Sequence, residues 1–266
     1  MPHAIWRGSI SFGLVTIPVT IMPALDTGAA LSFHMLDGED LSPIKQKRVN
    51  ATTGQEVPYD RIVKGYETDP GAWVVLTEDD FRAANVKATQ TIDIVSAVCA
   101  DEIDETYYDK PYFLEPAASG RKAYALLRET LRDTSRVAIA KVVIRTREHL
   151  AALVPQGDML LLEILRFPHE LRDAAGVDVP SSDLKAEGIT PAESEMAAQL
   201  IRTIEAPFSP ELYTDTYRDD LLALIQRKAE GGDVSVAGAA VPAEGGEVVD
   251  IVAMLKASLE AARKQA

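Results

Sequence analysis

Val137-Ala138-Ile139-Ala140-Lys141-Val142-Val143-Ile144-Arg145 decides how the rest of the chain is read. The stretch is rich in Val and Ile and alternates, which predicts a strand with one face against a core. Working outward, Leu150–Val154 and Met159–Phe167 read as further strands. Just upstream, Arg121–Asp133 reads as a helix, with Ser119 as its N-cap candidate and Leu127 and Leu131 as an i, i+4 pair. Ala123, Tyr124 and Leu126 widen its apolar side. Short strands are expected over Ile5–Leu14, Thr16–Met22, Leu31–Leu36, Ile44–Val49, Val57–Tyr66, Ala72–Leu76, Thr89–Val98 and Tyr112–Leu114, with Tyr66–Gly71 as a loop. Thr77 is placed to cap a short helix over Glu78–Ala84.

The apolar run from Ile10 to Pro23 has the composition of a secretory signal but not its pattern. Pro18 and Pro23 break it, Arg7 is the one cation ahead of it, and Ile10, Phe12 and Leu14 alternate with Ser11 and Gly13. It reads as the first strand of a cytoplasmic protein, which suits a single reduced cysteine, Cys99.

After about residue 190 the pattern turns helical. Thr190-Pro191-Ala192-Glu193 is a capping box with proline at the first helical position, followed by Met196, Leu200, Ile201 and Ile204 at helical spacing. A second helix is expected from Ser209-Pro210 to Gly231-Gly232. Residues 231–247 are rich in Gly, Ala and Val with Pro242 and read as a flexible linker. Beyond it Val248, Ile251, Val252, Leu255, Leu259 and Ala262 form one apolar stripe of a terminal helix. The stripe fits either docking on its own domain or the groove of a partner protein. The expected divisions are 1–190, 191–230, 231–247 and 248–266.

At 266 residues and 47% hydrophobic the chain can bury a substantial core, and wholesale disorder is excluded. No apolar run is long enough to span a bilayer, so no membrane partner is expected. There is no Walker A loop, no nucleophile elbow and no H-E-x-x-H, and His3, His34, His149 and His169 stand far apart. No cofactor or metal is expected. The run Asp101, Glu102, Asp104, Glu105, Asp109 is either a solvated segment or a Mg²⁺ site of a hydrolase.

The charge distribution is more informative than its sum. The chain carries −14, which taken whole argues against a nucleic-acid partner, yet residues 117–147 hold eight cations against two carboxylates, a net of +6. Arg121, Arg128 and Arg132 fall within about 40° of one another on a helix. Lys141, Arg145 and Arg147 would share one strand face, the first two about 13 Å apart along it. Lys45, Lys47 and Arg48 form a second basic group, followed by Arg61 and Lys64. The charges suit either a solvated surface or phosphate contacts without base readout, since no zinc finger, basic zipper or helix-turn-helix is visible.

Six stretches in order resemble one family. Ala4-Ile5-Trp6-Arg7-Gly8-Ser9-Ile10-Ser11-Phe12-Gly13-Leu14-Val15 with Ile17-Pro18-Val19 resembles the start of bacterial Ku. Ile62-Val63-Lys64-Gly65-Tyr66-Glu67, Tyr112-Phe113-Leu114-Glu115-Pro116, Lys122-Ala123-Tyr124-Ala125-Leu126-Leu127-Arg128, Val137–Val143 and Glu148-His149-Leu150-Ala151-Ala152-Leu153 follow in family order. The resemblance implies an α+β fold: a β-barrel core with a bridging arch and a C-terminal helical arm, in a homodimeric ring threaded on double-stranded DNA ends. It implies a non-enzymatic, nucleoid-associated role in non-homologous end joining, with recruitment of the ATP-dependent DNA ligase D. The stripe Val248, Ile251, Val252, Leu255 and Leu259 resembles the family segment linked to that ligase.

The channel-facing candidates are Lys45, Lys47, Arg48, Lys64, Arg121, Lys122, Arg128, Arg132, Lys141, Arg145 and Arg147. A ring basic inside and acidic outside accommodates the −14 total. Many members carry a lysine-rich tail; here only Arg263 and Lys264 stand near Ala266, so tail-dependent DNA contacts are not expected. No cysteine lies in the Asn50–Gln55 turn, so no metal is expected there. The rival readings are an acidic oligomeric interaction protein without DNA binding and a metal-dependent hydrolase using Asp101 to Asp109.

Overall fold

A computed structural model describes residues 3–26, 28, 30–84, 90–231 and 251–265. Its strands are β1 (Trp6–Phe12), β2 (Val15–Pro23), β3 (Lys64–Asp69), β4 (Ala72–Leu76), β5 (Thr91–Val98), β6 (Tyr108–Pro116), β7 (Val137–Ile144), β8 (Arg147–Gln156) and β9 (Met159–Leu165). Its α-helices are α1 (Glu78–Ala84), α2 (Arg121–Asp133), α3 (Pro191–Ile204), α4 (Thr216–Ala229) and α5 (Ile251–Gln265). Seven strands close a barrel in the order β1-β2-β6-β9-β8-β7-β5. Every pairing in it is antiparallel except the closing one, β1 with β5.

Alternation sets what faces inward. On β7, Ala138, Ala140 and Val142 are buried while Lys141 is exposed. Ile10, Ile17, Ile21, Ile92, Leu153, Leu160 and Leu162 join them in the core. Helix α2 adds Tyr124, Leu127 and Leu131 to the same core. The Tyr124 hydroxyl donates to the Leu114 carbonyl at 2.8 Å and accepts from the Leu160 amide at 2.6 Å, at the last pair of the β6–β9 ladder. Tyr124→Phe removes both of these buried hydrogen bonds and should cost about 2 kcal/mol, read as a lower midpoint in urea unfolding; an unchanged midpoint would show the hydroxyl to be dispensable.

Outside the barrel, Glu163 lies between Pro111 and Ala152 of the flanking strands and makes no hydrogen bond or ion pair with a described residue. Burial pushes its carboxyl above the ordinary glutamate range. Between the unfolded and the folded pKa the native state binds more of this proton than the unfolded chain does, and the stability tied to it is lost as pH rises through the folded pKa. Glu163→Gln should raise the melting temperature at about pH 7–8, and the gain should disappear below about pH 4. An increment independent of pH would sink this account.

Several sequence expectations need correction. Leu31–Leu36 and Ile44–Val49 are not strands: they make only the isolated bridges Leu36–Pro43 and Val49–Glu56, because no continuous ladder partner runs beside them. Val57–Tyr66 holds a 3-10 turn at Tyr59–Arg61, and the expected loop Tyr66–Gly71 is mostly β3, paired with β4 in a two-stranded ribbon. Nearly every ribbon side chain is exposed, Tyr66 and Trp73 at 66% and 61%. Ser119 does not cap α2; a 3-10 turn over Ala118–Gly120 leads into the helix instead. The second C-terminal helix begins at Thr216, since Pro210–Leu212 forms a separate 3-10 turn. Strand β7 ends at Ile144, so Arg145 and Arg147 do not share a strand face with Lys141.

The chain divides into two compact units, Met1–Asp173 and Ala174–Ala266. In the second, Thr190 and Glu193 form the expected capping box of α3, and α5 packs against α3. Most of the 231–247 linker, and Val248, lie outside the described residues. No described helix is long and apolar enough to cross a membrane.

Candidate nucleic-acid interface

The eleven candidate cations fall into three groups. Lys45, Lys47, Arg48 and Lys64 belong to the segment that leaves the barrel after β2 and to the ribbon it leads into. Lys47 pairs with Glu56 at 2.6 Å, Arg48 lies over the Tyr59 ring, and Lys64 pairs with Glu78 at 2.9 Å and sits over Phe81. Lys45 is exposed and makes no such contact with a described residue.

Helix α2 supplies the second group, and its two ends differ. Arg121 and Lys122 are exposed and unpaired among the described residues. One turn or more further on, Arg128 is mostly buried and donates to the Asp158 carbonyl, while Arg132 donates to the Gly157 carbonyl. Glu129 sits between them, 2.6 Å from Arg128 and 2.7 Å from Arg132. The Arg128 hydrogen bond, seconded by Arg132, holds the Glu129 carboxyl below its ordinary range. The helical stripe of arginines thus clamps α2 to the β8–β9 turn at its lower end and reaches solvent at its upper end.

The third group surrounds the β7–β8 hairpin. Lys141 pairs with Glu148 across the ladder at 3.0 Å, and Arg147 pairs with Glu170. Arg145 occupies the turn, exposed and unpaired among the described residues. His149 lies nearby, and burial, with Arg147 adding to it against the pull of Glu170 and Asp109, lowers its pKa. It therefore adds no charge to this basic group at neutral pH.

Two exposed barrel cations, Arg7 on β1 and Lys110 on β6, are also unpaired among the described residues. Sequence reading passed over them because each stands alone in its segment. The signal that would have found Arg7 was the alternation already read in β1, which turns it outward.

The acidic run is engaged locally. Asp104 accepts from the Thr106 amide at 2.9 Å, Glu102 from the Cys99 amide at 3.2 Å, and Asp109 pairs with Arg166 at 2.9 Å. Among the described residues no three of His, Cys, Asp and Glu come together to hold a metal ion.

Similarity to known proteins extends over the whole chain. Residues 11–198 match the family model of the Ku70/Ku80 beta-barrel domain. The chain is 45% identical to a protein of Opitutus terrae over 97% of its own length and 91% of that protein's. It is 43% identical to one of Cupriavidus necator, covering 97% of this chain and 78% of that one, and 41% identical to one of Pseudomonas aeruginosa, covering 97% and 88%. Each of these relatives bears the name "Non-homologous end joining protein Ku". With six of the seven barrel strands inside the span of the family model, and such identity held over 97% of its length, this chain belongs to the Ku family.

Proposed function

We propose that the protein binds double-stranded DNA ends without sequence readout, as a ring-shaped homodimer, in double-strand break repair by non-homologous end joining. The observation that carries this reading is the near full-length similarity to proteins named for that process. Surface chemistry supports it. In a chain of −14, cations without an internal partner among the described residues stand on the segment leading to the ribbon, on α2 and on the β7–β8 hairpin. Phosphate contacts need such cations and need no base-reading side chains. The exposed apolar residues of the ribbon, Tyr66, Trp73 and Val75 among them, suit contact with a second copy.

The protein acts as a scaffold rather than an enzyme. All eleven candidate cations are retained as DNA-facing residues, in two roles. Lys45, Arg121, Lys122 and Arg145 meet phosphates directly. Lys47, Arg48, Lys64, Arg128, Arg132, Lys141 and Arg147 shape the surface and add to its field. The stripe Val248, Ile251, Val252, Leu255 and Leu259 recruits the ATP-dependent DNA ligase D. Val252 and Leu255 are half-buried and Met254 is exposed, so the ligase would meet a surface shared by α3 and α5.

Competition binding at one fixed salt concentration tests the reading. Labelled linear duplex competes against unlabelled linear and covalently closed circular DNA of the same sequence. Competition by the linear form alone is expected, because a closed ring loads only at a terminus. Equal competition would leave an ordinary backbone binder, and no binding at all would favour the acidic interaction protein.

A further inference from the structure

Three two-residue turns join neighbouring barrel strands: Gly13-Leu14 between β1 and β2, Arg145-Thr146 between β7 and β8, and Gly157-Asp158 between β8 and β9. All three share one backbone pattern. The first residue has a positive φ, 60° at Gly13, 60° at Arg145 and 52° at Gly157, and the second does not. This is the pattern of a type II′ hairpin turn, whose first position belongs to glycine because a Cβ there crowds the backbone. Two turns obey the rule and the third carries an arginine. Among the described residues the other non-glycine positions with positive φ, Leu41 and Ser135, lie outside these hairpins.

Nothing in the fold asks for arginine at this place. Arg145 is exposed and makes no hydrogen bond or ion pair with any described residue. Its basic neighbours on the hairpin are engaged, Lys141 with Glu148 and Arg147 with Glu170. A strained backbone that persists without a structural gain points to function.

We propose that Arg145 is a phosphate anchor: the β7–β8 hairpin gives up turn stability to hold one guanidinium at a fixed place against the backbone of duplex DNA. A two-residue turn between paired strands leaves the Cα of Arg145 little freedom, so less order is lost on binding than for a cation on a loop. The planar guanidinium can grip one phosphate through two parallel N–H donors, which an ammonium cannot do. The proposal rests on the DNA-binding reading above and names a residue on which that reading depends unequally.

Arg145→Gly and Arg145→Lys separate the anchor from a structural role. For the full-length wild type and both variants, the melting temperature and the affinity for linear duplex are measured, the latter across a salt series. Arg145→Gly should melt at or above the wild-type temperature, because glycine relieves the turn. Its affinity should fall about tenfold, and the slope of log affinity on log salt should become shallower by about one for each phosphate no longer neutralised. Arg145→Lys should keep the salt slope and bind more weakly than the wild type but more tightly than Arg145→Gly. Wild-type affinity in Arg145→Gly overturns the proposal. So does a fall in melting temperature that accompanies weaker binding, since the arginine would then be holding the turn. A wild type without salt-dependent binding defeats the DNA-binding reading and the anchor together, whereas binding that survives in Arg145→Gly defeats the anchor alone.

Discussion

A chain with alanine at Lys45, Arg121, Lys122 and Arg145 is expected to bind linear duplex DNA at least about a thousandfold more weakly than the parent while melting at the same temperature. Each charge-assisted hydrogen bond to a phosphate is worth about 1.5 kcal/mol or more, and about every 1.4 kcal/mol is a factor of ten in affinity. The unchanged melting temperature follows from the surroundings. All four side chains are exposed and unpaired among the described residues, so their removal takes nothing from the fold. The salt series is the decisive readout: with four fewer phosphates neutralised by each of the two chains of the ring, the slope should flatten by about 7. A companion variant with alanine at Lys47 and Lys64 should weaken binding much less, because Glu56 and Glu78 already neutralise those ammonium groups. If the four-site variant kept the parental salt slope, the DNA-binding surface would lie elsewhere.

Gly8→Ala should have the largest effect on stability. Gly8 faces the barrel interior on β1, between Trp6 and Ile10, where the barrel closes by the parallel pairing of β1 with β5. A Cβ built there would collide with the backbone oxygen of Gln90 and with the Trp6 ring. Neither gives way easily. The Gln90 oxygen accepts from the Ser9 amide at 2.9 Å, and the Trp6 indole donates to the Val143 carbonyl at 2.9 Å. Overpacking against fixed backbone should cost about 3 kcal/mol or more, a fall of about 10 °C in melting temperature for a unit of this size. Trimming Trp6 in the Gly8→Ala background removes one collision and leaves the other, so recovery should be partial. A Gly8→Ala chain that melts with the parent would show the junction to be looser than its geometry.

The contrast between these two substitutions shows what was legible in the chain and what was not. Ala138, Ala140 and Val142 alternate with Ile139 and Lys141, and the burial of β7 follows that alternation. Thr190-Pro191-Ala192-Glu193 reads as a helix start and is one. Such features are local, set by side-chain direction and by unpaired backbone groups at a helix end, and both are written in neighbouring residues. Strand existence in the segment between β2 and β3 was less legible. Ile44–Val49 has the composition of a strand, but a strand requires a partner, and the partner is a long-range fact.

The candidate interface divides along the same line. That residues 117–147 concentrate positive charge in an acidic chain is a property of the sequence, and so is the resemblance that its motifs carry. Which of those charges stays free was decided by the tertiary structure. Arg121 and Arg128 lie two helical turns apart on one stripe, yet the fold turns Arg128 onto the β8–β9 turn and leaves Arg121 in solvent. Glu148 captures Lys141, Glu170 captures Arg147, and Arg145 is lifted out of the strand by a turn whose backbone suits glycine. Charge content is a sum over residues and can be read along a line. Charge availability depends on which carboxylates and carbonyls folding brings within hydrogen-bond distance, and for Arg128 that partner stands 30 residues away in the chain.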